Sequence, residues 1–131
     1  MIISIDASNG LAIYDQIVRQ IKFAVAGGVI LPGELIPSVR EMAKQTAVNP
    51  NTVSRAYREL QSEGILETVR GTGLQVTDDA VKKCRRDRQG LIQERLRGVL
   101  KEAQQSQLDT DEIRQLIDAE LARLNGKETS Q

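Results

Sequence analysis

The stretch that most constrains the fold is Ala47–Gly64, which has the pattern of one short helix with two contrasting faces. Asn49 and Pro50 predict where this helix begins, because an asparagine side chain can accept from a first-turn amide and proline suits the first helical position. Gly64 predicts its end. Apolar residues recur at the spacing of a single helix face, which predicts a buried stripe made of Val53, Ala56, Tyr57 and Leu60.

The opposite face of the same helix carries amide and guanidinium groups. It comprises Asn51, Arg55 and Arg58, with Thr52 and Ser54 beside them. Asparagine and arginine are the side chains that pair bidentately with adenine and guanine edges in the major groove of DNA. A solvated helix that binds nothing also has a polar face, so the interpretation depends on the flanking sequence.

A second short helix is predicted immediately before this one. Ser38 and Glu41 have the spacing of a capping box and stand ahead of Met42 and Ala43. In a capping box each side chain bonds the other residue's backbone amide, which defines a helix start. The helix is short, because the chain soon reaches the Asn49 cap. Two short helices joined by a tight turn predict a helix-turn-helix.

A β-hairpin is predicted directly after the helix-turn-helix. Apolar residues in the segments Ile65–Val69 and Leu74–Val76 flank the glycine-bearing connection Arg70-Gly71-Thr72-Gly73. That spacing is typical of a hairpin. The connection alone would be an ordinary surface turn, but its position after a helix-turn-helix favours a wing. An arginine at the tip of a wing can lie in a narrow minor groove, which attracts it.

The residues before the helix-turn-helix predict one longer helix between irregular segments. Ile2–Ile5 is compatible with a short strand and Asp6–Gly10 with a turn. Ile13–Ala26 has a helical apolar stripe that Gly27-Gly28 brings to an end. Val29–Pro37 contains two prolines and is predicted to be an ordered loop.

The C-terminal part of the chain predicts two further helices. The first runs from about Asp79 to Gln105, and the second has Asp109 as its N-cap and Asn125-Gly126 as its end. One helical hairpin would leave both apolar stripes partly exposed, which indicates an interface with a second copy, such as a four-helix bundle. The expected dimerisation residues are Leu91, Ile92, Leu96, Leu100, Ile113, Leu116, Ile117, Leu121 and Leu124.

These patterns together predict a fold that is mainly α with a small β-hairpin wing (α+β). The expected domains are an N-terminal winged helix-turn-helix over residues 1–77 and a C-terminal two-helix dimerisation hairpin over residues 78–126. Residues 127–131 are expected to be a frayed tail.

Charge is balanced over the whole chain but not along it. Eighteen basic and 18 acidic residues leave no global positive field, so any DNA contact must come from a local patch. Residues 80–101 hold eight basic side chains against Asp87 and Glu94, net +6, whereas residues 102–131 have a net charge of −4. The two helices could complement each other in a bundle, although two solvated faces would show the same split.

The composition argues against an enzyme. Histidine is absent, which removes the commonest general base and zinc ligand, and no glycine-rich phosphate loop or metal cluster is visible. We therefore expect no cofactor and no metal. The lone Cys84 fits a reducing compartment, and a plain core or surface cysteine is favoured over a thiol activated by its basic neighbours. No signal peptide or bilayer-spanning run is visible, so a cytoplasmic protein without a membrane partner is expected.

A set of residues over about 11–76 has a recognisable order and spacing. It comprises Tyr14-Asp15-Gln16-Ile17, Gly28, Leu31–Arg40, Val48–Val53, Ala56-Tyr57, Leu60, Glu63-Gly64, Gly71, Gly73 and Val76. This combination resembles the winged-helix domain of the GntR family of bacterial transcription regulators. The Asn-Pro-Asn-Thr form of the second helix and the short C-terminal tail are similar to its YtrA-like subfamily, although many family members have arginine where Pro50 stands.

The resemblance implies a sequence-specific regulator that binds double-stranded DNA, a repressor acting as a homodimer on a near-palindromic operator. It implies phosphate or nearby base contacts for Ser38 and Arg40, and a phosphate contact or plain surface charge for Arg58. Tyr14 matches the family tyrosine and is expected in the core. The implied major-groove residues are Asn49, Asn51, Thr52 and Arg55, and the implied wing residues are Arg70, Gly71 and Thr72.

One alternative remains open from the sequence. A dimeric winged-helix adaptor that binds protein, and not a specific DNA site, would show the same helical patterns. Whether a small-molecule effector exists is unknown from the sequence.

Overall fold

The computed structural model describes residues 3–129, which contain five α-helices and one two-stranded antiparallel sheet. This order of elements confirms the predicted mainly α fold with a small β wing. Within residues 3–129, no helix combines the length and the hydrophobicity of a membrane-spanning segment. The elements are α1 (Ile13–Ala26), α2 (Val39–Thr46), α3 (Pro50–Ser62), β1 (Leu66–Val69), β2 (Gly73–Val76), α4 (Ala80–Gln105) and α5 (Thr110–Thr129).

The chain forms two compact units, one ending at Gly90 and the other beginning at Leu91. The boundary between them lies inside α4 and not at residue 77. The reason is that Ala80 and Cys84, in the first turns of α4, are fully buried in the core of the first unit. The functional division at residue 77 stays a prediction, since the two units describe packing within the chain.

The core of the first unit is aliphatic and is built by α1, α2 and α3 around the hairpin. The stripe predicted on α3 is confirmed, because its four residues are at most 2% exposed. Burying such side chains removes apolar surface from water, the main stabilising contribution in a domain of this size. The largest fully buried side chains include Tyr57, Ile17, Ile21, Met42, Leu60, Ile65, Leu66 and Val76.

Both predicted helix starts in the helix-turn-helix are confirmed. The Ser38 hydroxyl accepts from the Glu41 amide at 3.1 Å, and the Ser38 amide donates to the Glu41 carboxylate at 3.1 Å. At α3, the Asn49 side-chain oxygen accepts from the Asn51 amide at 2.8 Å. Between the helices the chain turns at Ala47, which has a left-handed φ of 55°. The caps therefore fix where each helix begins, independently of what the exposed faces bind.

The segment before α2 is a loop, as expected, but it also pairs with the hairpin. The Ile36 amide donates to the Leu74 carbonyl at 3.0 Å, and the Gly33 amide donates to the Val76 carbonyl at 2.8 Å. Leu35 forms an isolated antiparallel bridge with Gln75. The loop thus covers one edge of β2 and ties the wing to the start of α2.

Residues 3–5, the described part of the strand that the sequence suggested for Ile2–Ile5, do not form a strand. The backbone of Ser4 pairs with a side chain of α1 and not with another strand. The side-chain oxygen of Gln20 accepts from the Ser4 backbone amide at 2.9 Å, and the side-chain nitrogen of Gln20 donates to the Ser4 carbonyl at 2.6 Å. Gln16 does the same for Asp6 at 2.9 and 2.8 Å. A turn follows at the expected position. Met1 and Ile2 lie outside the described residues.

An ion cluster around the buried Lys22 fastens the N-terminal part of α4 to the rest of the first unit. The Lys22 ammonium group, on a side chain only 7% exposed, lies 2.8 Å from the Glu63 carboxylate and 3.5 Å from that of Asp87. Burial alone would lower the pKa of Lys22, but the hydrogen bond and the two negative charges outweigh it and raise that pKa. The cluster joins α1, the C-cap of α3 and α4, and no sequence pattern had pointed to it.

Cys84 is a core cysteine, and its environment yields a prediction for alkaline stability. Burial raises the pKa of its thiol from 9.0 to about 11. Between these values the folded state binds more protons than the unfolded state, so stability falls as the pH rises. A shift of this size corresponds to a loss of up to about 2–3 kcal/mol between pH 9 and 11.

The measurement is urea unfolding under reducing conditions, from pH 7 to pH 11, for the wild type and Cys84→Ala. The variant should be somewhat less stable at pH 7 but should lose stability less steeply above pH 9. The raised pKa values of Lys22 and Tyr57 also lower stability at high pH, and they do so in both proteins. Parallel curves for the two proteins would contradict a buried, protonated thiol.

The second unit has a different character from the first, because none of its described side chains from Leu91 to Gly126 is buried. The predicted cap of α5 is confirmed: the Asp109 carboxylate accepts from the Glu112 amide at 2.8 Å. The predicted helix end at Asn125-Gly126 is wrong, since α5 continues to Thr129. Gly126 does not adopt the positive φ that ends a helix at glycine. Residues 127–129 therefore belong to α5, residues 130–131 lie outside the described part, and fraying of the tail stays a prediction.

Candidate nucleic-acid interface

The outer face of α3 is exposed, as its polar residues predicted. Asn51, Arg55 and Arg58 are exposed, whereas Thr52 and Ser54 beside them are partly covered. The exposed polar residues and the buried apolar residues of α3 lie on opposite faces, because each set recurs at the 3.6-residue spacing of the helix. An exposed row of amide and guanidinium donors is what a helix needs in order to read base edges.

The starts of α2 and α3 add donors with defined orientations. The Ser38 hydroxyl oxygen accepts from the Glu41 backbone amide, and the Asn49 side-chain oxygen accepts from the Asn51 backbone amide. The Ser38 hydroxyl hydrogen and the Asn49 NH₂ group can therefore donate to DNA. Both residues, and Arg40 in the first turn of α2, are exposed. Helix N-termini carry a partial positive charge that suits phosphate.

The wing tip is an exposed turn between β1 and β2. The Thr72 amide donates to the Val69 carbonyl at 2.9 Å, and Gly71 adopts a φ of 76° that favours glycine. Arg70, Gly71 and Thr72 are all exposed. The predicted wing is therefore present, with its arginine accessible.

A tyrosine hydroxyl holds α3 against the segment that leads into α2. The Tyr57 hydroxyl donates to the Pro37 carbonyl at 2.8 Å. Burial, together with the nearby negative charge of Glu41, raises the pKa of Tyr57, so the hydroxyl stays a donor. The sequence predicted that Tyr57 is buried but not this bond, although buried tyrosines usually find a polar partner.

Arg55 contacts Tyr14, which the sequence led us to expect in the core. Its guanidinium carbon lies 3.7 Å from the centre of the Tyr14 ring. Tyr14, expected in the core, is only partly buried and packs against the core from the first turn of α1. The two residues are far apart in sequence, so no spacing rule could have joined them.

No group of histidine, cysteine, aspartate or glutamate side chains in the described part of the chain is arranged to hold a metal ion. The exposed serine, asparagine and arginine side chains of the helix-turn-helix and the wing are hydrogen-bond donors and cations, which suit a polyanion with base edges.

The sequence matches a known family over the same region. The profile of the "Bacterial regulatory proteins, gntR family" matches residues 13–76. Over 115 residues the chain is 36% identical to the HTH-type transcriptional repressor YtrA of Bacillus subtilis (strain 168), covering 88% of each protein. The chain belongs to the GntR family. Similarity to YtrA over most of its length also confirms the predicted YtrA-like subfamily.

Solved GntR structures agree with this assignment. A GntR family transcriptional regulator from Listeria monocytogenes superposes with a TM-score of 0.66 at 30% identity, covering 86% of this chain and 97% of that one. The DNA-binding domain of AraR in complex with operator ORX1 gives a TM-score of 0.53 at 29% identity, covering 56% of this chain and 94% of that one.

Family membership decides the general function. GntR proteins are DNA-binding transcription regulators and not enzymes, so this GntR regulator has double-stranded DNA as a partner. The protein-binding adaptor, the alternative left open by the sequence, loses its main support. The individual contact residues stay predictions.

Proposed function

We propose that this GntR regulator is a repressor that binds a near-palindromic operator as a homodimer, with one α3 helix in the major groove of each half-site. The observation that carries the proposal is the exposed donor face of α3, held from behind by a fully buried stripe. Helix-turn-helix dimers read half-sites one helical turn apart in this way. A regulator of this kind acts where the chromosome lies, in the bacterial cytoplasm.

Repression is supported by similarity to a named repressor. The B. subtilis YtrA protein is called a transcriptional repressor, and this chain matches it over 88% of both lengths. A DNA-bound dimer needs no catalytic group to repress, because occupying a promoter is enough to exclude the transcription machinery. The charges and donors around α3 therefore suffice for the proposed activity.

The homodimer is supported by the second unit. Six of the nine expected dimerisation residues are 37–55% exposed, and the other three are only partly covered. Exposed apolar residues in helical stripes usually mark an interface, and a second copy of the same chain is the simplest partner. The exposed residues are Ile92, Leu96, Leu116, Ile117, Leu121 and Leu124, and the partly covered ones are Leu91, Leu100 and Ile113.

The proposed DNA contacts divide into two kinds. Ser38, Arg40 and Arg58 are assigned to phosphates, which fix the position of the protein on the duplex. The residues that we assign to base edges or to the groove floor at the wing are Asn49, Asn51, Thr52, Arg55, Arg70, Gly71 and Thr72.

Arg55→Ala provides the direct test of base reading. The operator is first identified by sequencing the DNA that the protein retains from fragmented genome. The variant should then lose about 1–3 kcal/mol of affinity for the operator and little for random duplex. Lys44→Ala is the matched control, because Lys44 is an exposed cation in the last turn of α2 outside the proposed contact set.

Salt titration completes the same experiment. Wild-type affinity should fall with rising salt at a log–log slope of about −0.9 per neutralised phosphate. Arg55→Ala should keep that slope if Arg55 reads a base. Equal losses on operator and random DNA would make Arg55 a phosphate contact, and a flat salt response of the wild type would count against DNA binding through this surface.

A further inference from the structure

The contact between Arg55 and Tyr14 joins the reading helix to a different helix of the same unit. The guanidinium carbon of Arg55 lies over the face of the Tyr14 ring, 3.7 Å from its centre. Arg55 is exposed, whereas Tyr14 is partly buried and packs against the core. An exposed arginine otherwise samples many rotamers, so a ring beneath it limits where its guanidinium group can point.

The ring itself is well supported. Tyr14 lies in the first turn of α1, and the next turns carry Ile17, Val18 and Ile21, which are at most 3% exposed. The neighbouring carboxylate of Asp15 lies 3.2 Å from the Arg19 guanidinium nitrogen and so already has a cationic partner. Tyr14 thus offers Arg55 an aromatic surface whose position is fixed by the core.

Stacking uses the face of a guanidinium group and leaves its N–H donors, which point outward in the plane. Those donors are the ones that pair with the O6 and N7 atoms of guanine or with two phosphate oxygens. A side chain already held in a suitable orientation loses less conformational entropy on binding. The stack is therefore compatible with DNA binding and lowers the entropic cost of the contact.

We propose that Tyr14 is a positioning residue for DNA recognition, whose ring holds the Arg55 guanidinium ready for a pair of acceptors on DNA. The inference rests on the proposed function, in which α3 enters the major groove. It adds a residue of α1, outside the helix-turn-helix, to the determinants of operator affinity. Tyr14 acts through Arg55 and needs no contact of its own with DNA.

The test is a double-mutant cycle in the full chain on the operator that the wild type prefers. Tyr14→Phe keeps the ring and should bind within about twofold of wild type. Tyr14→Leu removes the ring face and should bind about 3–10-fold more weakly, because binding must then order a freely moving Arg55 side chain. In an Arg55→Ala background, Tyr14→Leu should have no further effect.

A second variant separates positioning from folding. Arg55→Lys leaves α1 untouched and keeps the charge, but lysine lacks the planar donors, so its affinity should fall at least as far as that of Tyr14→Leu. Thermal unfolding is measured for each protein. If Tyr14→Leu does not fold, the operator affinities of Tyr14→Phe, Arg55→Lys and wild type still test the proposal. Wild-type affinity in Arg55→Lys would overturn it.

Two kinds of modified operator identify the DNA group that accepts from Arg55. Replacing single operator guanines by 7-deazaguanine removes N7, and replacing single phosphates by methylphosphonate removes a charge. On the operator in which the substitution removes the acceptor of Arg55, Tyr14→Leu and wild type should bind with equal affinity. On the other substituted operators, Tyr14→Leu should still bind more weakly than wild type. The proposal is overturned if Tyr14→Phe binds as poorly as Tyr14→Leu, or if Tyr14→Leu weakens binding equally without Arg55. Failure of the proposed function itself would be visible in the wild type alone, as binding without sequence preference.

Discussion

Val53→Asp is expected to unfold the first unit. Val53 is fully buried in the stripe that holds α3 against the core. A carboxylate there would have no cationic partner, and the free-energy cost of burying an unpaired charge is comparable to the whole free energy of unfolding of a domain. We expect a loss of more than about 4 kcal/mol, against a total stability of about 5–15 kcal/mol for a typical domain. Circular dichroism during thermal unfolding measures it.

Asn51→Asp is the matched control, because it places the same carboxylate on the opposite face of the same helix. Asn51 is exposed in the first turn of α3, where a negative charge is tolerated or slightly stabilising. This variant should fold like wild type and bind the operator poorly, since it would repel DNA. A folded Val53→Asp protein, with wild-type stability, would contradict the assignment of the buried face.

Removal of the second unit is expected to have the largest effect on DNA binding. A chain ending at Gly90 should be a folded monomer that binds the full operator about 10²–10⁴-fold more weakly than the intact dimer, because it loses the effective concentration of a linked second site. The cut belongs after Gly90 and not after Val76, since Ala80 and Cys84 complete the core and Asp87 pairs with buried Lys22. Sedimentation and operator binding are the measurements.

Two comparisons make the truncation informative. On a single half-site, the truncated protein should bind as well as one subunit of the intact protein, which shows that the first unit is undamaged. In the full chain, Leu121→Asp should also reduce both dimerisation and operator affinity, because Leu121 is 53% exposed and assigned to the interface. An intact chain that is monomeric at micromolar concentration, yet binds its operator at full strength, would contradict the proposed dimer.

Local sequence patterns were sufficient to predict the helices and the hairpin of the first unit. Helix α1 has the predicted bounds, and the helix-turn-helix has the predicted caps at Ser38 and Asn49. These features depend on residues within one or two turns of each other, so capping chemistry and apolar periodicity are enough to reveal them. The same reasoning located the hairpin, because its glycines and flanking apolar runs are contiguous.

Contacts between distant segments could not be predicted in this way. Lys22 meets Glu63 and Asp87, and Arg55 lies over Tyr14, although neither set has any recognisable spacing in the sequence. Likewise, the edge of β2 is covered by the loop before α2, and the first core extends into α4. Each of these is a contact between segments that are distant in the chain. Their partners are chosen by how the helices pack, which a local pattern does not contain.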